Sequence, residues 1–132
     1  MSKVDIRAKI AGAQDIKKEM VTVEEWDNVE IEVRTLTGKE RAVMMNSAID
    51  TNTGTVDFVK MYPELIIAGS YDPESGDKLF SEGDRDFLNA KSGAAIEKLA
   101  AVILRLSGMD KGAIAKAEKN SIVDPKSDST SN

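Results

Sequence analysis

The clearest hydrophobic pattern near the start of the chain is an alternation with a period of two. Apolar side chains occupy alternate positions in two runs: Val21 and Val23, then Val29, Ile31 and Val33. This alternation is typical of strands with one buried face, so we predict a β-hairpin over about residues 20–35. A two-stranded ribbon is marginal alone, and its apolar face must therefore pack on helices. Trp26, at the turn, is either a lid on that packing or an exposed contact; we favour the lid.

Beyond the hairpin, apolar residues recur at intervals of three and four, as in amphipathic helices. The strongest case is a broad stripe that includes Ile96, Leu99, Ile103 and Leu106. Thr37 and Glu40 have the spacing of a capping box, and Ser81 and Ser92 are suitable N-caps. We predict helices over about residues 38–50, 55–69, 82–91, 93–107 and 110–119.

Two details of these helices are open to test. Pro63 removes an amide donor, so the second helix should either kink or restart with Pro63 in its first turn. In the third, Phe87 and Leu88 are expected to face inward. Residues 71–77 form an acidic stretch, but its spacing does not match a calcium loop, and we predict a turn made by Pro and Gly.

The two ends of the chain carry weaker patterns. Residues 1–18 have scattered apolar positions and are predicted to form a partly ordered arm. Residues 120–132 are mostly Ser, Asp, Asn and Thr, a composition typical of disorder. The predicted fold is therefore α+β and mainly α: an N-terminal β-hairpin packed on four to five helices, within one globular domain over residues 19–119, followed by a disordered C-terminal tail.

Composition argues against catalysis and against nucleic acid as a partner. The chain has no Cys and no His, which removes the commonest nucleophile–base pairs and metal ligands. It contains no phosphate-binding glycine loop and no carboxylate pair set apart from the surface acids. A net charge of −5 without a basic patch disfavours nucleic acid. We therefore predict a non-enzymatic protein without metal or cofactor.

The remaining class is a binding protein that covers apolar surface on a partner. Adjacent methionines are either core filler or an adaptable contact surface, and core filler is the simpler interpretation. The predicted partner-binding residues are Met44, Met45, Phe58, Met61 and Trp26. The first residues are charged and lack the apolar core of a signal peptide, and no stretch approaches the apolar length of a membrane span, which predicts a cytoplasmic protein without a membrane partner.

Two stretches of the chain resemble a known family. Residues 13–42, AQDIKKEMVTVEEWDNVEIEVRTLTGKERA, combine an alternating strand, a Trp at the turn, a second strand ending in Arg and a Thr-Gly-x-Glu-Arg helix start. Later positions continue the match: Asp72, Gly76, Leu79, Phe80, Asp84, Leu88 and Leu106-Ser107-Gly108. In order and spacing these features resemble the tail assembly chaperones of long-tailed, siphovirus-like bacteriophages.

The resemblance implies a protein that binds the long, helical, aggregation-prone tape measure protein in the host cell cytoplasm and is absent from the finished virion. It leaves room for the tail tube protein as a second partner and for self-association. The family often makes a longer isoform by ribosomal frameshifting. Residues 118–120 could be encoded as GAA AAA AAC, which contains a slippery heptamer; the codons GAG AAG AAT would remove this hypothesis.

A function of another class fits the same composition. An acidic regulatory or decoy protein would occupy a basic surface of a host factor through charge instead of apolar contact. High salt should abolish that binding, whereas polar substitutions of Met44, Met45 and Phe58 should abolish tape measure binding.

Overall fold

A three-stranded antiparallel sheet covered by helices forms the body of the protein. The computed structural model describes residues 1–109, and the predicted helix 110–119 and tail 120–132 lie outside this range. The elements in chain order are α1 (Lys3–Gly12), β1 (Lys18–Val23), β2 (Val29–Arg34), α2 (Gly38–Ala48), α3 (Phe58–Gly69), β3 (Ser70–Tyr71), α4 (Arg85–Asn89) and α5 (Gly93–Leu106). The α+β, mainly α fold class is confirmed.

The predicted hairpin is present, and a short third strand extends it. β1 pairs with β2 from Lys18 opposite Arg34 to Val23 opposite Val29. β3 joins the other edge of β2, with Ser70 opposite Val33. Sequence pattern could not show β3, because two residues are too few to reveal a period.

The core lies between the inner face of the sheet and helices α2, α3 and α5. Its fully buried side chains are mainly aliphatic and include Val23, Val33, Leu65, Ile66, Leu99 and Ile103. α5 packs on α3 and on both long strands, so its apolar stripe is covered on more than one side. The prediction that Leu88 faces inward is confirmed, since it is 1% exposed, but Phe87 is 52% exposed and its predicted burial is wrong.

The end of α5 is tied to the hairpin by hydrogen bonds. The Thr35 hydroxyl donates to the Leu106 carbonyl at 3.2 Å, and the Leu36 amide donates to the Ser107 hydroxyl at 2.9 Å. Gly108, at φ 72°, then turns the chain so that the Met109 amide bonds the Leu104 carbonyl at 2.7 Å. With Gly108 in the left-handed conformation, the chain reverses at the end of α5 and Met109 is buried in the core.

Residues 1–18, predicted as a partly ordered arm, contain helix α1. Ser2 and Asp5 form a capping box at its start. None of its residues is buried. No helix among residues 1–109 is long and apolar enough to cross a membrane.

Pro63 lies inside α3, and the helix neither ends nor starts again at this residue. Because Pro63 has no amide hydrogen, the Val59 carbonyl lacks its usual partner four residues ahead. The side-chain amide of Asn89, at the end of α4, donates to that carbonyl at 3.2 Å. Asn89 thus supplies the hydrogen bond that Pro63 cannot make.

We expect Asn89→Ala to lower the free energy of unfolding by about 0.5–1.5 kcal/mol, the usual net value of one hydrogen bond. In a Pro63→Ala background, residue 63 regains an amide that can serve Val59, so the same Asn89→Ala change should cost close to nothing. Urea unfolding of the four proteins in this cycle measures the difference. Equal costs in both backgrounds would contradict the pairing.

Candidate functional site

An apolar groove of about 660 Å³ lies between the hairpin turn, the loop after β3 and helix α4. Its apolar lining consists of Trp26, Val29, Ile31, Pro73, Leu79, Phe80, Phe87 and Leu88. Val29, Leu79 and Phe87 are 42%, 41% and 52% exposed. Such clustered exposed apolar surface is typical of an interaction site. These residues, with the charged ones named below, define the apolar groove.

The hairpin turn forms the first wall. A 3-10 turn over Glu24–Trp26 is followed by Asp27 and Asn28, both left-handed with φ near 60°. Asp and Asn tolerate this conformation better than other non-glycine residues. The turn leaves Trp26 half-buried against the core, which agrees with the lid interpretation, while it also lines the groove.

The loop after β3 forms the second wall and is held by its own hydrogen bonds. The Asp72 carboxylate accepts from the Glu74 amide at 2.8 Å, and the Gly76 amide donates to the Asp72 carbonyl at 2.8 Å. Gly76 has φ 77°, a conformation that suits glycine. The Arg34 guanidinium lies 3.8 Å from the centre of the Tyr71 ring and so links β2 to this loop. The predicted turn at residues 71–77 is therefore present and ordered.

Helix α4 forms the third side and is anchored away from the groove. Glu64 is 7% exposed, and its carboxylate accepts hydrogen bonds from Nε of Arg85 at 2.6 Å and from Nη2. The pKa of Arg85 is raised above its ordinary value, chiefly by this hydrogen bond. Together with the bond from Asn89 to α3, this ion pair fixes α4 so that Phe87 lines the groove.

The charged side chains that line the groove are mostly acidic: Glu25, Asp27, Glu30 and Asp72, against Lys91. The pKa of Asp72 is lowered, mainly by the hydrogen bond from the Glu74 backbone, which favours the ionised carboxylate. Glu25 also lies 3.7 Å from Lys98, a distance at which the pair is weak. The groove therefore presents an apolar floor within a negative rim.

The residues predicted from sequence to bind a partner are not brought together. Met44 and Met61 are 1% and 2% exposed and pack in the core, and Met45 is partly buried against it. Phe58 is 47% exposed, but it lines a separate, more polar cleft between the end of α2 and the start of α3. Trp26 alone of the five lines the groove. The prediction that these five residues bind a partner stays a prediction.

Sequence reasoning missed the groove because its walls come from three separate segments. One signal was present: Val29 follows the same alternation as Ile31 and Val33, yet it is the first residue of β2, directly after the turn. The adjacent apolar pair Leu79-Phe80 after an acidic turn was a second signal. Among residues 1–109, no group of three or more Asp, Glu, His or Cys is arranged to hold a metal ion.

Comparison with known proteins identifies one fold relative by name. No family model matches the chain, and no curated protein matches its sequence. The solved structure of the bacteriophage HK97 tail assembly chaperone superposes with a TM-score of 0.58 at 18% sequence identity, covering 80% of this chain and 95% of that one. The family resemblance read from the sequence is thus supported at the level of the fold: this chain folds like the tail assembly chaperone of phage HK97.

Proposed function

We propose that the protein is a tail assembly chaperone that binds the tape measure protein through the apolar groove and keeps it soluble in the host cytoplasm. The observation that carries the proposal is the groove itself, because three large apolar side chains stay exposed beside a well-packed core. The shared fold supports the same role. Binding an apolar stripe of a helix requires no catalytic group, so the proposed action is non-enzymatic.

The groove has the features expected for an amphipathic helix. Helix-in-groove recognition places apolar anchors at intervals of three and four residues into an apolar channel. Trp26, Phe80 and Phe87 supply aromatic surface, and aromatic residues are enriched at protein interfaces. A tape measure protein exposes such apolar stripes until tail tube subunits enclose it, and covering them in the meantime prevents aggregation. A frameshifted isoform would carry the same groove, since all of its residues precede position 118.

Phe87→Asp tests the groove, and Phe58→Asp is its matched counterpart. Both residues are phenylalanines of similar exposure, and only Phe87 lines the groove. We expect Phe87→Asp to weaken binding by about 30-fold, the effect of an interface hot spot of about 2 kcal/mol. Phe58→Asp should change it less than about twofold. The measurement is capture of co-expressed tape measure protein, with its soluble fraction and the melting curve of each variant.

Other outcomes point elsewhere. Loss of capture with Phe58→Asp alone would place the contact at the α2–α3 cleft, which Phe58 lines. If 1 M NaCl abolishes capture while neither substitution changes it, binding depends on charge. That result would favour the acidic decoy function, with which the net charge of −5 agrees.

A further inference from the structure

The hairpin wall of the apolar groove carries most of the groove's charge. Glu25 and Asp27 belong to the turn, Glu30 is the second residue of β2, and all three line the groove. Their side chains are exposed. Like charges held close together repel one another and do not stabilise the fold. Their grouping beside an apolar surface therefore points to what binds there.

The cations of the domain leave these acids largely without neutralisation. Within residues 1–109, no Lys or Arg forms an ion pair with Asp27, Glu30 or Asp72. Glu25 alone has a partner, Lys98, at 3.7 Å, and both of these side chains remain partly exposed. A partner that brings cations to this rim therefore meets carboxylates that are still available for pairing.

The lysine of the groove lies on the α4 side, away from the hairpin acids. Lys91 follows α4, and its Nζ is 5.0 Å from the centre of the Phe87 ring. The groove thus has acids along the hairpin turn and a cation beside Phe87. Cations on a bound helix are attracted to the first side and repelled from the second.

The apolar floor increases the effect of these charges. When an apolar stripe packs on Trp26, Leu79 and Phe87, it displaces water from the groove. Charge interactions at the rim then act through a medium of lower dielectric constant, so attraction and repulsion both become stronger. Apolar contact supplies the affinity for any amphipathic helix, and the rim discriminates between helices by the charges that border their stripes.

We infer that the apolar groove selects amphipathic helices whose apolar stripe is bordered by Lys or Arg on the flank that faces the hairpin turn. As applied to the tape measure protein, the inference rests on the proposed function and identifies which stretches of that client bind. Helices with acidic borders are rejected, even where their apolar stripe is the same.

Two synthetic helical peptides of identical composition test this selectivity on the full-length chain. Both carry the same leucine stripe and three lysines, which border the stripe in one peptide and lie on the opposite face in the other. Their equal net charge cancels general attraction to a chain of net charge −5. An exposed ion pair strengthens binding by about 1.4- to 5-fold. We therefore expect the bordered peptide to bind about 10-fold more tightly by fluorescence anisotropy.

Reversing one rim charge should reverse the preference. A third peptide has glutamates in place of the bordering lysines. We expect Glu30→Lys to weaken the lysine-bordered peptide about 10-fold and to strengthen the glutamate-bordered one at least about threefold. Opposite shifts of the two peptides cannot come from a misfolded groove, which would weaken both.

Asp15→Lys is the matched control, since it makes the same change in net charge at an exposed site. Asp15 precedes β1, whose far end leads into the turn. Six strand residues span about 17–20 Å, well beyond the screening length of about 10 Å at 0.1 M salt. Both peptides should bind Asp15→Lys within about twofold of wild type.

Three results would overturn the inference. The first is equal affinity for the two lysine isomers at about 0.1 M salt. The second is a preference that persists unchanged in about 1 M NaCl, where charges are screened within about 3 Å. The third is equal binding of a lysine-bordered peptide whose leucines are replaced by serines, which would show recognition of charge without the groove and favour the acidic decoy.

Capture of tape measure protein separates this inference from the proposed function. If capture requires Phe87 but is unchanged by Glu30→Lys, the proposed function stands and the charge selectivity fails. If the peptides behave as expected while tape measure protein is not captured, the selectivity of the groove stands and the proposed client is wrong.

Discussion

Replacing Met44 by aspartate should unfold the domain. Met44 is 1% exposed and belongs to the core cluster beneath α2. Losing its buried contacts costs about 2–5 kcal/mol. Burying an unpaired carboxylate in its place adds several more. Since small domains are stable by only about 5–15 kcal/mol, we expect Met44→Asp to abolish the cooperative thermal transition.

The control for this prediction is Phe58→Asp, which introduces the same charge at an exposed site and should melt close to wild type. Far-UV circular dichroism during heating measures both. A Met44→Asp protein that folds normally and loses only tape measure binding would contradict the burial of Met44. That result would support the prediction that Met44 contacts a partner.

Gly69→Ala should destabilise the protein by about 1–3 kcal/mol through overpacking. A Cβ at Gly69, the last residue of α3, would lie 2.9 Å from Cδ1 of Ile103 and 3.0 Å from both its Cγ1 and Cγ2. Ile103 is 0% exposed and β-branched, so its side chain has little room to rotate away. The close approach of α3 and α5 therefore requires glycine.

Gly12→Ala is the matched control, because a Cβ there meets nothing within 4 Å. It should leave stability unchanged or raise it slightly through helix propensity.

Urea unfolding of Gly69→Ala with and without Ile103→Val measures the energetic coupling between the two positions. Shortening Ile103 should lower the free energy of unfolding less in the Gly69→Ala background than in wild type, because it relieves the clash with the added methyl group. Additive costs would mean that the two helices move apart to relieve the contact.

The sequence predicted the elements whose structure depends on residues close together in the chain. The hairpin and α5 were found because many consecutive positions agree on one period. The predicted capping box of α2 is present, with the Thr37 amide bonded to the Glu40 carboxylate at 2.9 Å and the Glu40 amide to the Thr37 hydroxyl at 3.2 Å. A cap depends on residues three positions apart, so a sequence can show it directly.

What the sequence could not predict depends on contacts between distant segments. Phe87 and Leu88 are adjacent and apolar and both line the groove, yet Leu88 is buried in the core and Phe87 is half exposed, because α4 offers only one face to α3. Methionine serves cores and interfaces equally well, so residue type alone did not distinguish the buried Met44 from a contact. α1 was missed for a different reason: without a buried face, it leaves almost no periodic signal.

The hydrogen bonds that join the hairpin to the end of α5 also bear on the order of events during synthesis. They connect residues 71 positions apart, from Thr35 to Leu106 and from Leu36 to Ser107. Until the ribosome has made α5, the inner face of the nascent hairpin lacks the helix that packs on both of its long strands. Such long-range closure is slow and leaves apolar surface exposed meanwhile. The fold therefore completes only after nearly all of residues 1–109 have emerged from the ribosome.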